Sequence, residues 1–308
     1  MPELVYSRRV MSSGWFYLAA MIAAYGIANL LQSMAAARTT VHHTFDPQLL
    51  VRLACHRTYL LGLLCQVLGF VLAFLARRDL PLFLVQASVA AGLGVTALLG
   101  VLLLKWTLPV AEVALLILLL GGITALVISA QPAQSRQLGT PGMIGLAGAL
   151  LAIAVLGFFA VRLHGALGSV ALGSLAGIAF SAAAIAARPL AGEQTLGDFC
   201  ANPLLYLLVA HSIVGQLLLG LAMQRGSTTA AVAAMDAAGA VPAAVVGLLW
   251  LGDKIHPGRE WMAAVGFVVT LASVIAMTRY AEPQHHHATA HPRADRPKGN
   301  SRLHPAGR

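Results

Sequence analysis

Asp236 lies near the middle of an apolar stretch, 226–252, in which it is the only charged side chain. Inside a membrane, a carboxylate is costly unless it is paired, hydrated or protonated. Such an acid can carry a proton, hold a cation or anchor a substrate. Pro242 follows six residues later. An interior proline removes a backbone hydrogen bond and kinks the helix, and in transporters such breaks gather at the substrate site. Other polar side chains inside apolar runs are His211, Gln216, Asn29, Gln32, Gln66 and Gln86. Histidine changes charge near neutral pH, and amides either join helices or line a cavity. These eight residues form the candidate substrate or ion pathway.

The elements that must position them follow from composition. The chain has 308 residues, 58% hydrophobic and 10% charged, with a mean hydropathy of +0.79. An ordinary soluble domain is about 25% charged, so a soluble globule is excluded and the lipid bilayer is the expected partner. Apolar runs between charges match the roughly 20 residues an α-helix needs to cross a bilayer. They predict an all-α polytopic membrane protein with about nine transmembrane helices: 14–33, 58–76, 82–104, 110–130, 141–161, 167–187, 203–224, 229–251 and 261–279. Ser7-Arg8-Arg9 before the first run resembles a signal peptide, but that run exceeds the usual 7 to 15 apolar residues and holds two amides. It reads as a first span.

The net charge of +9 falls in short loops and the tail, which suits anionic headgroups and topology control rather than nucleic acid. Cys55, Cys65 and Cys200 have no disulfide or metal spacing; no metal or cofactor is expected. Residues 280–308, with His285-His286-His287, read as a disordered basic tail.

An internal repeat is the second informative feature. A shift of 147 residues sets Tyr59-Leu60-Leu61 over Tyr206-Leu207-Leu208, Arg78 over Arg225, Val85 over Val232, Gly100 over Gly247 and Leu108 over Ile255. Spans two to four thus match spans seven to nine. Equivalent helices are five apart, an odd number, so the copies cross the membrane in opposite directions. Inverted repeats of this kind let a central site open to either side in turn. The predicted division is 1–13 as N-terminal segment, 14–130 as a first repeat of four spans and 131–279 as a second of five.

Val85-Gln86-Ala87 through Lys105-Trp106-Thr107-Leu108-Pro109-Val110-Ala111-Glu112, followed by Gly121-Gly122, resembles the end of one repeat in the drug/metabolite transporter superfamily, EamA-like. Val241-Pro242 through Leu251-Gly252-Asp253-Lys254-Ile255 looks like the same element in a second copy, with Asp253 where the family often has Glu. The resemblance covers 58–130 and 203–279. The family usually has ten helices. A nine-span layout lacking the first looks like the superfamily's magnesium-transporter-like branch. The resemblance implies alternating-access transport in a cell membrane, inner or plasma, with the basic tail in the cytoplasm. Outside the tail, basic residues divide almost evenly between the two sides.

Spans seven and eight are predicted to form a hairpin about Arg225-Gly226-Ser227. At about 1.5 Å per residue, Asp236 then lies roughly 14 Å from the turn, Gln216 about 16 Å and His211 about 23 Å. Gln216 is the amide level with the acid. Ser169, Gly173, Gly177 and Ser181 repeat every four residues in span six, a close-packing face. The remaining acids fall in loops, tails or helix ends.

The expected function is secondary transport of a small solute, with protons as a candidate coupling ion and a second copy of the chain as a candidate partner. A divalent-cation transporter is the alternative, handicapped because hard cations want several oxygen ligands. An accessory or lipid-handling membrane protein is a third. No HExxH, GxSxG or GxxxxGK[ST] occurs, so an enzyme is not expected.

Overall fold

A computed structural model describes residues 2–37, 57–105, 108–133, 135–193, 195–225 and 228–288. In chain order its helices are α1 (Pro2–Ala37), α2 (Arg57–Ala76), α3 (Leu82–Ser88), α4 (Ala91–Leu104), α5 (Val110–Ser129) and α6 (Thr140–Ala160). Then come α7 (Gly165–Leu190), α8 (Leu196–Ala201), α9 (Pro203–Arg225), α10 (Thr228–Leu249) and α11 (Glu260–Ala288). The protein is an all-α, multi-pass membrane protein. Among the described residues, seven segments are long and apolar enough to cross a bilayer: 13–31, 82–104, 110–129, 140–160, 165–190, 203–223 and 260–277. Leu60–Ala76 and Ala234–Leu249 are shorter apolar helices. Prolines set several starts: Pro81 and Pro109 precede α3 and α5, Pro141 lies in the first turn of α6, and Pro203 opens α9. Proline lacks the N–H that a first turn leaves unbonded anyway.

Three details differ from the sequence expectation. The third span covers 82–104 as expected, but it divides into α3 and α4 at a two-residue turn, Val89-Ala90, whose backbone stays right-handed helical. The first helix is Pro2–Ala37, starting before the predicted span at 14. The last helix runs on to Ala288, through His285-His286-His287, instead of ending at 279. The rest of the tail, Cys55 and most of the first long loop lie outside the described residues.

Packing also departs from nearest-neighbour hairpins. Helix α1 packs along α2 and α4, α7 along α9 and α10, α5 against α11, and α3 against α10. Between α9 and α10, neighbours in the chain, the contact is slight because α7 lies against both. The reason is visible in the small-residue ladder. A Cβ added at Gly173 would come 2.5 Å from the Ala231 carbonyl oxygen, and one at Gly239 would come 2.9 Å from that of Gly177. At Gly177 the obstacle is the Met235 carbonyl oxygen. Backbones touch here, as small residues allow in membranes. Gly177→Val is therefore expected to lower stability by about 1–3 kcal/mol or more, the range for overpacking. Gly145→Ala, with nothing within 4 Å of its added Cβ, is expected to leave the thermal midpoint unchanged or slightly raised. Thermal unfolding of the detergent-purified variants checks both.

One end of the bundle is sealed. The linker after α5 pairs with the turn after α10 in a two-residue antiparallel ribbon, Ala130 opposite Ile255 and Gln131 opposite Lys254. Leu82, Leu190, Leu204 and Leu251 close the same end as one buried cluster.

Candidate functional site

Asp236 lines a small pocket with Gln86, Ala87, Ala90, Ala240, Phe267, Thr270, Leu271 and Val274. Three elements build it. The end of α3 supplies Gln86, α10 supplies the acid, and α11 supplies Phe267 and Thr270. The space suits a guest the size of a water molecule. No hydrogen bond or ion pair to Asp236 occurs among the described residues. Thr270 is buried and its hydroxyl donates to the Gly266 carbonyl at 2.8 Å, so its oxygen lone pairs stay available. Pro242 lies inside α10 beyond the pocket, leaving the Ala238 carbonyl without its helix donor.

The other candidates scatter. Gln216, level with the acid along the sequence, is exposed and does not line the pocket. Helix α9 packs on α7 rather than α10, and that turns Gln216 outward. Gln86 is the amide that shares the pocket with Asp236. Asn29 and Gln66 are exposed on α1 and α2, away from the acid, and Gln66 has its own interaction. Gln32 lies in α1, its side chain outside the described set. His211 is fully buried, with Nδ1 2.8 Å from the Leu207 carbonyl oxygen. A carbonyl only accepts, so Nδ1 carries the hydrogen. Nε2 has no hydrogen-bond partner among the described residues. His211 is not among the residues lining the Asp236 pocket.

A second polar constellation sits at the sealed end. Arg188 at the end of α7 is wholly buried. Its Nη2 donates to Asp253 Oδ1 at 2.7 Å and to the Ala133 carbonyl at 3.0 Å, and Nη1 donates to the carbonyls of Arg77 and Leu80. Asp253 Oδ2 accepts from the Leu82 amide. Gly252, at φ 77°, takes the left-handed turn that brings Asp253 under the end of α10. One ion pair thus ties together the α2–α3 turn, the α5–α6 linker, α7 and the α10–α11 turn. The sequence places Asp253 at a water-facing helix end; instead both side chains of the pair are 0% exposed. Burial pulls the neighbouring Arg77 guanidinium down to about 10, against the raising effect of Tyr25, and Arg188 lowers it further. It stays charged at neutral pH. Asp79, in the same turn, is pushed up by partial burial, against Arg78, the hydrogen bond from Ser13 and Arg188.

Among the described residues, no group of three or more His, Cys, Asp or Glu side chains could hold a metal ion. Comparison with protein-family models, curated proteins and solved structures finds no match.

Proposed function

We propose that this protein is a secondary transporter of a small solute, working by alternating access with Asp236 as its central ion-coupling carboxylate. The observation that carries this is the placement of Asp236 in a pocket where α3, from the first half of the chain, meets α10 and α11 from the second.

The packing pattern supports a 4+5 inverted repeat and nine spans. Shifting by 147 residues makes α2 equivalent to α9, α3 with α4 equivalent to α10, and α5 equivalent to α11. Helix α1 packs along α2 and α4 as α7 does along α9 and α10. The pairs α3 with α10 and α5 with α11 each join equivalent elements. A two-fold relation between halves makes that same exchange. Gly122 and Gly266 in the last pair obstruct each other reciprocally: a Cβ on either would come 2.9 Å or 2.8 Å from the other's carbonyl oxygen. Helix α2 ends, and α9 begins, at the sealed end where Leu82, Leu190 and Leu204 pack. This supports opposite directions for equivalent helices. Such halves can exchange conformations and expose a shared site first on one side, then on the other.

The divalent-cation alternative is less well supported, because Asp236 is the sole carboxylate lining the pocket and hard divalent ions want several oxygen ligands. Uptake and efflux in proteoliposomes, over a solute panel with imposed cation gradients and with magnesium flux in parallel, test the proposal. Gradient-dependent movement of an organic solute is expected. Vesicles that move neither solute nor ion overturn it in favour of an accessory role.

A further inference from the structure

We infer that the Asp236 pocket is a sodium site, formed where the break between α3 and α4 meets the carboxylate of α10 and the Thr270 hydroxyl of α11. The break is the observation that points there. A continuous helix would bond the Ala90 and Gly92 N–H groups to the carbonyls of Gln86 and Ser88. Instead Ala90 N–H bonds the Ala87 carbonyl at 3.2 Å, and Gly92 N–H bonds that of Val89 at 3.0 Å. Among the described residues the carbonyl of Gln86, which lines the pocket together with Ala87 and Ala90, is thereby left without its helix donor. Val89 and Ala90 keep right-handed helical angles, so the helix tightens by a 3₁₀-type turn here, and a carbonyl freed inside a membrane helix is a ligand source for a small cation.

Charge and size then select the guest. The polar side chains of the lining are an acid, an amide and a hydroxyl, with no lysine, arginine or histidine among them. The Thr270 proton is already engaged by Gly266, which leaves its oxygen as a ligand. A single carboxylate neutralises one positive charge. The water-sized space admits a dehydrated monovalent ion and excludes magnesium, which dehydrates reluctantly and keeps several waters. The site is thus matched to a hard monovalent cation held by one carboxylate and neutral oxygens. That sodium is the coupling ion rests on the transport reading above; that the pocket binds sodium does not.

Thermal unfolding of the purified full chain decides it, with sodium chloride titrated against choline chloride at fixed pH and ionic strength. A saturable rise in midpoint is expected for sodium, absent in Asp236→Asn. In Thr270→Val it should need roughly tenfold more sodium, the loss of about 1.4 kcal/mol of ligation. Thr270→Ser keeps the hydroxyl and should behave as wild type. Equal midpoints in sodium and choline overturn the inference, as does an undiminished sodium shift in Asp236→Asn. A midpoint that responds to pH alone identifies a proton site and also overturns it. Should a variant fail to fold, saturable binding of radioactive sodium to wild type, competed by lithium and potassium, gives the answer; its absence sinks the site. Sodium binding without solute flux refutes the transporter and leaves the site standing, whereas flux without sodium binding does the reverse.

Discussion

Asp236→Asn is expected to reduce gradient-driven solute movement to the level of protein-free vesicles while leaving the protein folded, with a thermal midpoint in sodium-free choline chloride equal to or above wild type. The two halves of that outcome have one cause. Among the described residues Asp236 has no ion-pair or hydrogen-bond partner, so its charge is a cost to the folded state that a neutral amide of the same shape relieves. On the proposed reading, the same charge holds the coupling cation. A charge-assisted contact contributes about 1.5–3 kcal/mol, and at 1.4 kcal/mol per tenfold its loss weakens ion binding roughly tenfold to a hundredfold. Flux in proteoliposomes and thermal unfolding on the same preparation read the two effects. An Asp236→Asn destabilised in sodium-free buffer would mean the acid has a structural partner. Full coupled flux in a folded variant would remove it from the mechanism.

Arg188→Met is expected to have the largest effect on folding, a loss of about 3–5 kcal/mol, the range for breaking one side of a buried ion pair. The substitution strands the Asp253 carboxylate, which is 0% exposed, and takes the donor from the carbonyls of Arg77, Leu80 and Ala133. The double variant Arg188→Met with Asp253→Leu is expected to recover part of that loss, since neither member of the pair then leaves the other's charge buried and unpaired. Its thermal midpoint should lie between Arg188→Met and wild type. A double variant less stable than either single variant would show that the two residues act independently. Because the pair ties together four segments at the sealed end, its loss should also loosen that end, which faster hydrogen exchange in 77–82 and 250–256 would register.

The helices were largely legible because the signal for them is local. Apolar runs bounded by charge and proline match the observed helices within a few residues over most of the chain, since length and backbone satisfaction in a bilayer leave little choice. Asp236 was legible for the same reason. Where the reading went astray, rotation or long-range pairing decided. Gln216 and Gln86 are both amides in apolar runs, and depth along the chain favoured Gln216. Which one faces the acid depends on α7 holding both α9 and α10, a matter of rotation about a helix axis. The break at Val89-Ala90 has no proline to announce it. Its nearest signal is Gly92 close behind, which packs on Tyr25.

The sequence by itself determined a membrane protein of apolar helices with one acid far from any neighbouring charge, because hydropathy and span length are summed over local residues. Arg188 and Asp253 fall just past the predicted spans 167–187 and 229–251. Only the tertiary structure decided that these two charges meet, dry, 65 residues apart in the chain, and that Gln86 and Thr270 join Asp236 around one pocket. The physical reason is that the azimuth of a helical side chain and the burial of a turn are set by which helices approach closely. Here that is decided by backbone contacts at Gly173, Gly177, Gly239, Gly122 and Gly266.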